Sequence, residues 1–80
     1  MDYVVFRQWL QDEKNMSSRS ATDVVSRCRR INKMTEKENI DDNTVATLIE
    51  MEAFDSMSMF IKSQLKRAAA LYMEFVKKEE

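Results

Sequence analysis

Not one glycine or proline occurs in this 80-residue chain, and that absence restricts its fold more than any residue it contains. Two-residue hairpin turns rely on Asn-Gly, Asp-Gly or Gly-X to reach positive φ, so the commonest antiparallel connections are missing. No proline interrupts the long apolar-periodic stretches either. The chain is therefore expected to be all-α: a single four-helix bundle over residues 1–80, since this length supports one core and not two.

The helical period locates four segments, at about residues 2–14, 18–33, 42–53 and 58–78. In the first, Tyr3, Val5, Phe6, Trp9 and Leu10 follow Asp2, a candidate N-cap, and the pattern ends in Asp12-Glu13-Lys14-Asn15. Its aromatic residues are expected in the core, with the hydroxyls of Tyr3 and Tyr72 at the core edge facing solvent. The second segment has a cap in Ser17 and a competing start at Ser20 with Asp23. Ala21, Val24, Val25, Cys28 and Ile31 form its apolar stripe, opposite Arg19, Thr22, Ser26, Arg30 and Lys33.

Asp41 or Asp42 caps the third segment, which carries Val45, Leu48 and Ile49, and the pattern breaks near Phe54. Asp55-Ser56-Met57-Ser58 then supplies turn and cap residues for the fourth. Ile61, Leu65, Ala68, Ala69, Tyr72, Phe75 and Val76 mark its buried stripe. Ser63, Lys66, Arg67 and Ala70 lie opposite, with Lys62 at the edge. The alanines favour helix and let a neighbouring helix approach closely.

Several chemistries are excluded by what is missing. There is no histidine, so Cys–His nucleophile pairs, His-ligated zinc and imidazole bases cannot form within this chain. A phosphate-cradling loop needs glycine. The one cysteine, Cys28, falls on an apolar stripe and reads as a small core hydrophobe. Asp12–Glu13 and Asp41–Asp42 read as solvated helix-end carboxylates, so neither a metal nor a cofactor is expected. No apolar run approaches the roughly 20 residues of a membrane span, and residues 1–10 lack a signal-peptide pattern, so a cytoplasmic protein is expected.

Charge is unevenly placed. The formal net charge is −1, yet residues 1–34 carry seven cations and four anions, residues 35–57 one and seven, and residues 58–80 five and three. An acidic third helix thus stands against a basic second and a basic fourth. Part of the basicity near Lys33 is structural, because a helix C-terminus favours positive charge.

Three stretches carry a likeness: Phe6-Arg7-Gln8-Trp9-Leu10, Met16-Ser17-Ser18-Arg19-Ser20-Ala21 opening a helix, and Ser63-Gln64-Leu65-Lys66-Arg67-Ala68 leading to Leu71-Tyr72-Met73-Glu74-Phe75. In this order they resemble the N-terminal core-binding domain of phage integrases and other tyrosine recombinases, also called SAM-like, over roughly residues 3–76. The resemblance implies half of a clamp around duplex DNA, with the second and fourth helices facing the groove and backbone. It implies no catalysis here, because the family's Arg, His, Arg and Tyr constellation belongs to a separate C-terminal domain.

On that reading Arg19, Arg27, Arg30, Lys33, Lys62, Lys66 and Arg67 contact phosphates, and Ser26 and Ser63 donate neutral hydrogen bonds. Five to seven such contacts predict a log–log salt slope of about −5 to −6 and micromolar or weaker affinity. Arg30 and Arg67 are also candidates for bidentate contact to guanine. The competing expectation is a protein-interaction module, self-association included, using Phe54, Met57, Met59 and Phe60.

Overall fold

The computed structural model describes residues 3–79, and every regular element among them is helical: α1 (Val4–Glu13), α2 (Ser18–Thr35), α3 (Asp42–Glu50), α4 (Glu52–Asp55) and α5 (Met59–Glu79). The radius of gyration is 12.2 Å, close to the roughly 11.6 Å expected of a folded chain this long. The helix α2 lies at the centre, packed against α1, α3 and α5, while α1 also meets α5 and α3 meets α4.

Local chemistry sets most boundaries. Asp2, the expected cap of α1, lies outside the described residues, and Tyr3 occupies the N-cap position without a side-chain cap bond. Ser17 wins over the competing start: its Oγ accepts from the Ser20 backbone N–H at 3.1 Å. Asp41 caps α3, accepting from the Thr44 N–H at 2.9 Å and the Thr44 hydroxyl at 3.0 Å. These donors hold the Asp41 carboxyl below its ordinary range. Ser58 caps α5 through the Ile61 N–H at 3.2 Å. Without glycine, the left-handed positions that follow α1 and α2 fall to Asn15 (φ 53°) and Glu36 (φ 57°).

The core confirms the α2 stripe in full, since Ala21, Val24, Val25, Cys28 and Ile31 are all buried. On α5 the alanines bring α2 close, and the Cys28 thiol reaches the Ala68 carbonyl at 3.5 Å. Burial pushes that thiol up to about 12, which suits a core residue. Phe6 is the hub of an aromatic cluster, edge-on to Tyr72 at 5.0 Å and 5.3 Å from Phe75, with Trp9 closing over Phe75 at 5.6 Å.

Five expectations are corrected. Val5 is 61 % exposed, because burying Tyr3, Phe6 and Leu10 at i, i+3 and i+7 turns the adjacent position away from the core. Ile49 is exposed next to buried Leu48 for the same reason, and Val76, expected on the buried stripe of the last helix, is 38 % exposed next to buried Phe75. The expected helix over residues 42–53 is two helices, broken at Met51, whose ψ of 134° is extended. On an unbroken helix Phe54 would lie about 120° from the Leu48 side; the break brings it into the core at 4 % exposure. Lastly, Tyr3 and Tyr72 are buried core rings, and the Tyr3 hydroxyl donates to Asn32 Oδ1 instead of facing water.

Candidate nucleic-acid interface

With one stripe of α2 in the core, its neighbours fix what the other sides do. Against α1, the Arg7 guanidinium donates to the Thr22 hydroxyl at 2.9 Å and to the Ser18 carbonyl at 3.3 Å, and Arg29 lies over the Tyr3 ring at 5.9 Å. That flank is occupied. The remaining crest carries Arg19, Ser26, Arg30 and Lys33, all exposed, at spacings of three, four or seven residues.

The α5-facing flank carries Arg27. It opens, together with Arg67 of α5, into one groove of about 410 Å³, whose other walls include Asn15, Ser17, Ser20 and Asp23. On α5 itself Ser63, Lys66 and Arg67 are exposed on one face. The two basic helix surfaces therefore do not point to opposite poles. Arg27 and Arg67 meet along this groove, while Arg19 and Arg30 stand on the exposed crest of α2 and Lys66 on the exposed face of α5.

Some of the carboxylates that could neutralise these cations have partners of their own. Among the described residues the ion pairs are Lys14–Glu74 at 2.8 Å and Lys62–Asp55 at 3.7 Å. Lys14 holds the Glu74 carboxyl below its ordinary range by donating a hydrogen bond to it. Asp23 is the acidic member of the groove, four residues from both Arg19 and Arg27, a spacing at which opposite charges attract weakly on a helix surface. Within the groove two cations, Arg27 and Arg67, stand against this one carboxylate. Past Ala70 a second groove of about 540 Å³ is lined by Asp41, Asp42, Glu74 and Lys77 together with Ile40, Ala70, Met73 and Val76.

Two of the expected residues stand apart. Lys62 is half-buried, paired with Asp55 and set over the Phe54 ring at 5.9 Å, so its charge belongs to the α4–α5 corner. Lys33 lies at the far end of α2, in a cavity of about 440 Å³ shared with Arg29, Glu36, Lys37 and Glu38. Arg7 was missing from the expected set. Besides Gln11 one turn on, its partners lie 11 and 15 residues away, which no local spacing reveals.

The proposed interaction surface around Phe54 also divides. Phe54 is core and Met57 half-buried, whereas Met59 and Phe60 are 77 % and 68 % exposed. Among the described residues no helix is long and apolar enough to cross a membrane. No family model matches the chain, and neither a curated protein nor a solved structure matches it.

Proposed function

We propose that this chain is a helical module that grips the phosphate backbone of duplex DNA through the α2–α5 strip, in the manner of the core-binding domain its sequence resembles. The observation that carries the reading is the shared groove of Arg27 and Arg67, which joins the two basic helices into one surface. Arg19 and Arg30 on the exposed crest of α2 and Lys66 on the exposed face of α5 are assigned further phosphate contacts, and Ser26 and Ser63 hydroxyl donors. Contacts of this kind position a duplex and carry no sequence information directly. On this reading the module has no catalytic step of its own and acts in the cytoplasm.

Titration of a labelled duplex at low salt tests the reading. Micromolar or weaker binding is expected from the parent, and a loss of more than about tenfold from Arg30→Glu, Lys66→Glu, Arg67→Glu combined. Equal affinity in the two proteins, or no binding by the parent, removes it.

A further inference from the structure

The exposed face of α5 does not end at its cations. Helical spacing places Phe60, Ser63 and Arg67 in one row and Met59, Ser63, Lys66 and Ala70 in the next, and all of these are exposed. Met59 and Phe60 therefore continue the basic face of α5 toward the start of the helix. Singly scattered surface apolar residues need no explanation. Here two large ones stand side by side, one helical turn from a hydroxyl and two turns from a pair of cations.

We propose that Phe60, supported by Met59, stacks on a base where a duplex is interrupted, so that the module prefers bulged or unpaired sites to continuous duplex. The inference rests on the DNA-binding reading. Charge complementarity selects the occupant, because the cations in line with the ring draw a phosphate backbone along this face and the ring meets whatever that backbone carries. Aromatic platforms beside cationic tracks hold unstacked bases in this way, and apolar wedges enter deformable base steps. Seven residues of helix separate Phe60 from Arg67, about 10 Å along the axis. At about 3.4 Å per base step, that reach is roughly three steps from the anchored phosphate. In an intact duplex the target base must first be unstacked, a cost that a bulge has already met.

The test uses the full chain and two duplexes that differ by one unpaired 2-aminopurine. The parent is expected to bind the bulged duplex about tenfold more tightly, within the range of one base–aromatic stack, and to quench the 2-aminopurine fluorescence. Phe60→Ala, which empties no core space, is expected to lose the preference and the quenching while keeping its affinity for matched duplex. Lys66→Glu with Arg67→Glu is expected to weaken both. Equal affinity of the parent for the two duplexes, or a preference that survives Phe60→Ala, overturns the inference and leaves the DNA reading intact. Failure of the parent to bind either duplex overturns both. Sedimentation showing an oligomer that Phe60→Ala dissolves also overturns the inference, because a second copy then covers the ring.

Discussion

Glu36 ends α2 in the left-handed region, at φ 57° and ψ 29°, with its own N–H and that of Lys37 both returning to the Asn32 carbonyl. The hydrogen bonding is what a helix C-terminus requires, but the residue is not, because a Cβ in this region costs about 1–2 kcal/mol. Glycine removes that clash and gives back part of the gain as unfolded-state entropy. Glu36→Gly is expected to raise stability by about 0.5–1 kcal/mol in urea unfolding. Glu36→Gln, which removes the charge and keeps the Cβ, is expected to leave it nearly unchanged; equal gains in both would assign the effect to charge. Asn15 occupies the corresponding place after α1, where its residue type tolerates positive φ better. The two positions show how a chain without glycine still turns between helices.

Between elements, the contact of α2 with α5 decides whether the basic strip exists. Ala68 is buried where the Cys28 thiol meets its carbonyl at 3.5 Å, so an added side chain has no free space there. Ala68→Leu is expected to cost about 1–3 kcal/mol by overpacking, and Ala70→Leu, on the exposed face, well under 1 kcal/mol. Chemical denaturation of both variants checks the difference. That alanines occupy this face was legible from the sequence, as was the whole α2 stripe, because a long amphipathic helix repeats its signal many times. The break at Met51 was not legible. No glycine or proline marks it, and its cause is the burial of Leu48 and Phe54 together, a tertiary demand. The outward cations could likewise be read from spacing. Which flank of α2 faces α5, and therefore that Arg27 and Arg67 share a groove while Lys62 turns to Asp55, depends on packing that no local pattern contains.

At the scale of the whole molecule, a formal charge of −1 makes a phosphate-binding role depend on segregation, because averaged charge offers DNA no attraction. On the proposed reading the contacts come from Arg19, Arg27, Arg30, Lys66 and Arg67, and past Ala70 Asp41, Asp42 and Glu74 gather with the single cation Lys77. At 0.1 M salt the Debye length is about 10 Å, so a duplex lying on the strip is screened from more distant acids and held by the cations it touches. Five phosphate contacts predict a log–log salt slope of about −4.5, shallower than the value near −6 that seven contacts would give. Each strip residue removed, Arg30→Ala or Arg67→Ala, is expected to reduce the slope by about 0.9. Lys62→Ala is expected to leave it unchanged, since Lys62 is already paired with Asp55 at 3.7 Å. Affinities measured by anisotropy between 20 and roughly 200 mM salt separate the two cases over a span where five contacts change binding by about 10⁴-fold. A slope that falls as much for Lys62→Ala as for Arg67→Ala would mean that the duplex runs past the strip and onto the α4–α5 corner, drawing Lys62 away from its carboxylate.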